Sequence, residues 1–226
     1  MINEILGTPA SGILLSIGSY AIGIALCKKF KITFLNPLII AIVLTLLTII
    51  YTPLSIENYL NGANVFTMMI LPATIVLALN VYRKRKVFIE NLIPILIGCL
   101  AGSAASIISV HFLCKLFLIE DVLKLSLLPK SVTTAIAMQL SEKYGGVPSI
   151  TIAAVIFTGN FSAIFGPLFI KKFKLSDSVA NGAAMGVSGH AVGTARSLQI
   201  GELEGAMASI SLCVAGVITS VLLILY

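Results

Sequence analysis

A chain of 226 residues with 58% hydrophobic and only 11% charged side chains carries less than half the charge of soluble domains, about 25%. With a mean hydropathy of +1.07, it reads as an all-α polytopic integral membrane protein. The net charge of +6 sits in short basic clusters between apolar runs, the positive-inside pattern, which argues against nucleic-acid binding.

Cys27, Cys99, Cys114 and Cys213 lie in or beside apolar segments without C-x-x-C or metal spacing, and read as small hydrophobes. No metal site and no cofactor is expected. The start, MINEILGTPASG, lacks a basic region and a small-residue cleavage site, so the first span is expected to anchor itself.

In chain order, the first span covers about 13–27 and closes with Lys28-Lys29-Phe30-Lys31. The second, 34–51, has Asn36-Pro37 at its start, where proline is tolerated. The third, 63–82, carries Pro72 in its middle, which predicts a kink or break. Arg83-Lys84-Arg85-Lys86 follows, the densest basic cluster in the chain. The fourth span, 92–117, contains GCLAGSAAS (98–106), a small-residue face suited to close helix approach. His111, near its end, reads as interfacial.

The stretch 127–140, LLPKSVTTAIAMQL, is different. Fourteen residues give roughly 21 Å as a helix, short of the ~30 Å hydrocarbon layer. Later spans cover 149–170, 179–198 and 203–226. Lys171-Lys172-Phe173-Lys174 closes the first of these, which Gly159 and Gly166-Pro167 are expected to bend. Placing the clusters 28–31, 83–86 and 171–174 on one side requires an even number of crossings between them. That holds if 127–140 is a re-entrant segment or half-helix. The expectation is then about seven crossings, N-terminus outside and C-terminus inside. Eight crossings, with one cluster breaking the rule, is the alternative. KKFKI (28–32) with KKFKL (171–175), and ILPATIVLAL (70–79) with LLPKSVTTAIAM, hint weakly at internal repetition. No linker divides the chain, which reads as a single domain over 1–226.

Two segments carry candidate chemistry. Pro129-Lys130-Ser131-Val132-Thr133-Thr134 puts a cation and three hydroxyls at an expected helix start, where free N–H groups and the dipole favour an anion. The bland alternative is a lysine reaching the interface and hydroxyls capping a helix. In 181–205, NGAAMGVSGHAVGTARSLQIGELEG, His190, Gly193, Thr194 and Ser197 share one helical face. Arg196 lies about 240° from His190 around an ideal helix. A break at Gly189 or Gly193, or an Arg196 in the headgroups, would resolve this. Ionisable groups inside a membrane default to functional hypotheses, and arginine offers a fork suited to a carboxylate. Glu202 and Glu204 are candidate charge partners that would neutralise Arg196 near the surface. No hydrolase or nucleotide motif is present, and Ser188/His190 is too common a pair to indicate a catalytic nucleophile.

These two segments, LLPKSVTTAIAMQLSEKYGGVPSIT (127–151) and GHAVGTARSLQIGELEGAMAS (189–209), resemble the long central and C-terminal signatures of the LrgB/CidB family, and the similarity runs over essentially the full length. Ala135 stands where the family pattern has a second proline, and Asn160 where an apolar residue is expected. The resemblance implies a bacterial plasma-membrane protein paired with a small LrgA/CidA-type, holin-like partner and affecting murein hydrolase activity and autolysis. Similar proteins, including the plastidic glycolate/glycerate translocator, carry small carboxylates, and some bacterial pairs are linked to pyruvate.

The combined expectation is a non-enzymatic, transporter-like protein for a small monocarboxylate, acting with that partner; a homo-oligomer stays open. Lys130 attracts the anion, Ser131, Thr133 and Thr134 donate hydrogen bonds, Arg196 clamps the carboxylate, and His190, titrating near neutral pH, couples protons. The rival class is a non-transporting antiholin-type regulator of a holin-like partner. A pore is weaker, because no polar stripe runs along several spans.

Overall fold

The computed structural model describes residues 8–30, 37–69 and 82–226 and the isolated positions 72, 75, 76 and 79. The expected kink at Pro72 falls in a span most of which lies outside the described residues. Among the described residues the regular structure is entirely helical. They form two compact units, 1–76 and 77–226.

In the first unit, α1 (Ala10–Phe30), α2 (Pro37–Tyr51) and α3 (Ile56–Met68) pack through small residues. Pro37 opens α2, as its missing N–H allows. Gly12 and Gly62 let α1 and α3 approach so closely that a Cβ on either would meet the other strand of chain. Ser16 and Tyr59 hydroxyls bridge the same pair at 3.2 Å.

The second unit comprises α4 (Arg85–Glu90), α5 (Leu92–Leu116), α6 (Asp121–Leu127), α7 (Thr134–Lys143), α8 (Pro148–Lys172), α9 (Ser178–Ile200) and α10 (Glu202–Leu225). Among the described residues, four helices are long and apolar enough to cross a membrane: α1, α5, α8 and α10. The expected figure was about seven. Helix α2 is apolar but has fifteen residues, about 22 Å. Large apolar side chains on the outside of the long helices, such as Ile108, Phe112, Phe157 and Val217, have the exposure that lipid-facing positions require.

Helix α9 covers the span expected at 179–198, for which a break at Gly189 or Gly193 is one option, and it is broken at His190. His190 has φ 39° and ψ −128°, outside the helical region, and the chain folds back there. Gly182 and Gly186 press on the backbone of Glu204 and Ala208 in α10, so the first half of α9 runs parallel to α10. Gly205, three residues from Ala208, instead touches Leu198. An unbroken helix would hold Gly186 and Leu198 about 18 Å apart. Gly193 likewise abuts the Met185 carbonyl. Ser178–Ile200 is therefore a hairpin of two half-helices with its tip at His190.

A second hairpin joins α5 to α8. Helix α6 leads in, 128–133 forms a turn with Leu128, Pro129 and Val132 fully buried, and α7 leads back. Its two ends meet. The Val147 N–H donates to Ser126 Oγ at 2.7 Å, and the Thr151 hydroxyl lies 2.8 Å from the Ser126 carbonyl and 2.7 Å from Ser141 Oγ. A Cβ on Gly146 would stand 2.9 Å from the Ser126 nitrogen. At the outer end of α6, Lys124 donates to Asp121 at 2.6 Å and holds that exposed carboxyl below its usual range.

The hairpins start from opposite ends of the unit. Lys84 pairs with Glu202 at 3.1 Å, bringing together the starts of α4 and α10, and the start of α9 lies there through Gly182. The ends of the α6–α7 hairpin sit at the other end, where α8 begins. Both tips meet Val155 of α8: Val132 packs on its side chain, and the His190 ring bonds its carbonyl.

The glycines make opposite predictions for one substitution. A Cβ at Gly98 meets nothing within 4 Å, whereas at Gly186 it would collide with Ala208 backbone. Gly98→Ala should raise stability by about 0.5–1 kcal/mol. Gly186→Ala should lower it by about 1–3 kcal/mol. Thermal unfolding in detergent checks both signs.

Candidate functional site

A cavity of about 900 Å³ lies among α5, α8, the first half of α9 and the tip of the α6–α7 hairpin. Its wide end reaches Asn91, Phe169 and Asp177, where α5 begins, α8 ends and α9 begins. Phe161, Phe165 and Phe169, one turn apart on α8, form its apolar wall, and the Phe161 and Phe165 rings stack at 4.3 Å.

The inner end is polar. Lys130 Nζ donates to Ser106 Oγ at 3.2 Å and to Ser131 Oγ at 3.1 Å, and these two hydroxyls are 2.7 Å apart. Among the described residues no carboxylate pairs with Lys130. An ammonium has three N–H donors, two of which are used here; one of the two serine protons joins the pair, leaving the other available. One ammonium N–H and one hydroxyl thus remain for a ligand, the number a carboxylate's two oxygens accept.

A similar pair lies on the other side of the cavity. Ser162 Oγ on α8 and Ser188 Oγ on α9 are 2.7 Å apart, and Ser188 donates to the Ala184 carbonyl at 2.7 Å. Gly189 makes room for this pair, since a Cβ there would stand 2.6 Å from Ser162 Oγ.

The remaining sequence candidates lie elsewhere. Helix α7 starts at Thr134 with Thr133 as its N-cap, so Lys130 and Ser131 occupy the turn before it rather than the first helical turn. The turn closes through Lys130 N–H to the Leu127 carbonyl at 3.1 Å, which holds Pro129 and Lys130 out of the helix. Thr133 and Thr134 do not line the cavity. Ala135 is the second helical position, where a proline is tolerated. Asn160 is buried, donating to the Ile156 carbonyl at 2.9 Å.

His190, Gly193, Thr194 and Ser197 are all buried, although the break at His190 removes it from a common helical face, and none lines the cavity. His190 Nε2 is 3.0 Å from the Val155 carbonyl. A carbonyl only accepts, so this nitrogen carries a proton and the ring ties the hairpin tip to α8. Gly159 gives the ring space, as a Cβ there would stand 2.6 Å from Cε1. Arg196 is exposed and donates to Gln199 Oε1 at 2.7 Å. Glu202 pairs with Lys84 instead of Arg196, and the Glu204 carboxylate folds over Gly201. His190 stands at the hairpin tip, while Arg196 lies on the outward face of the second half-helix. His111 bonds the Tyr226 hydroxyl at the end of α5.

Reading the sequence missed Ser106, Ser162 and Ser188 as site residues. Ser106 lay in a motif taken for packing, and Ser188 in a pair set aside as common. The available signal was positional: Ser106 and Ser162 are each the fifteenth residue of a 25-residue helix.

With the geometry in place, comparison with known proteins gives the relationship. The LrgB-like family profile matches residues 16–226. The chain belongs to the LrgB-like family. It is 38% identical over 213 residues to the antiholin-like protein LrgB of Bacillus subtilis (strain 168), covering 94% of this chain and 92% of that one. To the antiholin-like protein LrgB of Bacillus mycoides (strain KBAB4) it is 37% identical over 217 residues, covering 96% and 94%. It is also 35% identical over 208 residues to YxaC of Bacillus subtilis (strain 168), named as uncharacterized, covering 92% and 90%. No solved structure matches. Family membership thus spans both compact units and the whole cavity.

The tip of α9 supplies a stability prediction. His190→Ala removes the donor to a buried carbonyl and should cost about 1–3 kcal/mol. His190→Gly should cost less, because glycine takes the positive φ without strain. Unfolding of the two variants in detergent compares them.

Proposed function

We propose that this LrgB-like protein binds a small monocarboxylate at Lys130 and moves it across a bacterial plasma membrane. The supporting observation is a half-buried lysine without an acidic partner among the described residues, at the tip of a hairpin, its ammonium set between two serines in a cavity. A cation in a low-dielectric site needs a counter-charge. Broken helices with a polar site between them near mid-membrane are a recurrent transporter device.

In this reading 121–147 and 178–200 are both re-entrant. The basic clusters 83–86 and 171–174 then stay on the cytoplasmic side with α5 and α8 between them. The crossings number six rather than seven, and the C-terminus lies outside. The cavity lining extends to Phe169 and Asp177, at the end that carries those clusters, which fits an inward-facing arrangement. The two compact units work as one LrgB-like domain, consistent with a family match across both.

The carboxylate sits on Lys130, Ser131 and Ser106, with Thr133 and Thr134 supporting the turn. His190, Gly193 and Thr194 hold the opposing hairpin, and Arg196, Glu202 and Glu204 act at the membrane surface. No catalytic step and no cofactor enters. Pyruvate and glycolate represent the ligand class, and a small LrgA/CidA-type membrane protein is the partner. A second reading draws on the relatives named antiholin-like: a regulator that binds a holin-like partner without transport. The two connect if acid flux alters membrane energetics and thereby murein hydrolase activity and autolysis.

Uptake of labelled pyruvate or glycolate into vesicles holding the protein and its partner tests this. Lys130→Gln should reduce saturable uptake at least about ten-fold, the loss expected for a charge-assisted contact. Arg196→Ala should stay near wild type. Uptake unaffected by Lys130→Gln, with autolysis effects retained, would favour the regulator.

A further inference from the structure

Phe157, Phe161, Phe165, Phe169 and Phe173 follow one another at four-residue intervals along α8. Side chains four apart are neighbours on a helix surface, and these rings stack. The centroids of Phe157 and Phe161 are 6.2 Å apart, those of Phe161 and Phe165 4.3 Å, and those of Phe169 and Phe173 6.1 Å. The middle of this ridge borders the cavity, but its two ends do not: Phe157 and Phe173 lie outside the cavity lining and are 71% and 62% exposed. In a membrane such a ridge is covered by acyl chains.

The ridge runs up to a group of cations. Lys171 and Lys172 stand in the last turn of α8, and Lys174 follows with φ 52°. Lys172 comes three residues after Phe169 and seven after Phe165, so it shares their face. The Lys174 N–H donates to the Lys171 carbonyl at 3.3 Å and the Leu175 N–H to the Ile170 carbonyl at 3.0 Å. This turn closes the helix, and its left-handed position is ordinarily glycine. Here a lysine holds it and adds a third ammonium within four residues. All three lysines are exposed, and among the described residues none has an acidic partner. Asp177, the next carboxylate along the chain, is engaged as the cap of α9, accepting from the Val179 and Ala180 N–H groups at 2.8 and 3.1 Å. The helix dipole and the positive-inside bias favour lysines at this end. Neither calls for the positive φ, nor for an aromatic ridge leading to them.

We propose that the end of α8 binds an anionic phospholipid of the cytoplasmic leaflet, its phosphate at Lys171, Lys172 and Lys174 and an acyl chain along the phenylalanine ridge. Juxtamembrane lysines attract anionic headgroups of that leaflet. From Phe161 to Phe173 the ridge rises about 18 Å, against about 15 Å for the hydrocarbon of one leaflet. A soluble phosphate would answer the lysines alone; the ridge selects a phosphate that carries a chain. The site rests on the orientation that places 171–174 in the cytoplasm and is independent of what the cavity carries.

The test offers the purified chain, in neutral detergent, equal amounts of phosphatidylglycerol and phosphatidylcholine with the same oleoyl chains, and counts retained lipid by native mass spectrometry. Phosphatidylglycerol should be preferred at least about ten-fold, a conservative figure for three lysines at a membrane surface. When Lys171→Gln, Lys172→Gln and Lys174→Gln are combined, the preference should fall toward one. With Lys115→Gln and Lys143→Gln, at the other end of the unit, it should persist. In vesicles, phosphatidylglycerol with a photoreactive acyl chain should label α8 between Phe161 and Phe173. A wild-type preference near one, a preference that survives the triple substitution or is lost equally with Lys115 and Lys143, or label confined to other helices overturns the site. Complete displacement of the lipid by glycerol phosphate would assign the lysines to a soluble anion and overturn the lipid. None of these readouts involves uptake, so their failure leaves the carboxylate reading standing.

Discussion

The hydrogen bond from His190 to the Val155 carbonyl is the point on which this half of the molecule turns. A chain that reverses inside an apolar layer exposes backbone that no water can satisfy, so each hairpin tip must be fixed by protein. Val155 serves both tips: its side chain packs against Val132, and its carbonyl takes the His190 proton. His190 also carries a positive φ, a conformation that costs on the order of 1–3 kcal/mol and persists only where surroundings impose it. Those surroundings are glycines. Gly159 leaves space for the ring, Gly182 and Gly186 let the backbone meet that of α10, and Gly193 lets the two half-helices meet at Met185.

The cavity follows from that arrangement. Two hairpins that enter from opposite ends and stop midway leave a space between the long helices they adjoin. The α6–α7 hairpin closes one end through a buried apolar cluster that includes Ile107, Val110, Cys114 and Leu223. Toward the other end the cavity runs along the phenylalanine wall to Phe169 and Asp177. Lys130 reaches the interior because its turn is held before the helix, with Leu128, Pro129 and Val132 buried around it. A lysine so placed does not fold a protein more stably, since desolvating an ammonium is unfavourable.

Sequence motif and structural site overlap only in part. The LrgB-like signature in 189–209 holds His190, Thr194 and Ser197, all buried, and Arg196, which is exposed. Much of that signature therefore specifies how the hairpin is built. Apart from Lys130 and Ser131, the hydroxyls that line the cavity sit just before it, at Ser188, and on helices α5 and α8, whose apolar sequence masks them. This explains why motif strength and cavity lining disagree.

The sequence by itself determined the membrane class, the basic clusters, the unusual shortness of 127–140 and the singling out of Lys130 and Ser131, because composition, length and charge are local quantities. It also left open a break at Gly189 or Gly193 or an Arg196 at the surface; the structure has both a break, at His190, and an exposed Arg196. Only the tertiary structure decided that 178–200 folds back on itself, that His190 fastens a tip while Arg196 stays at the surface, and that Glu202 pairs with Lys84. The physical reason is that a helix reversal depends on what the glycines touch, and an apolar sequence does not encode which carbonyl will lie opposite. The pairing of Ser106 with Ser131, and of Ser162 with Ser188, joins residues about 25 positions apart. No local periodicity reports such a contact; it arises when each hairpin returns to the helix that precedes it.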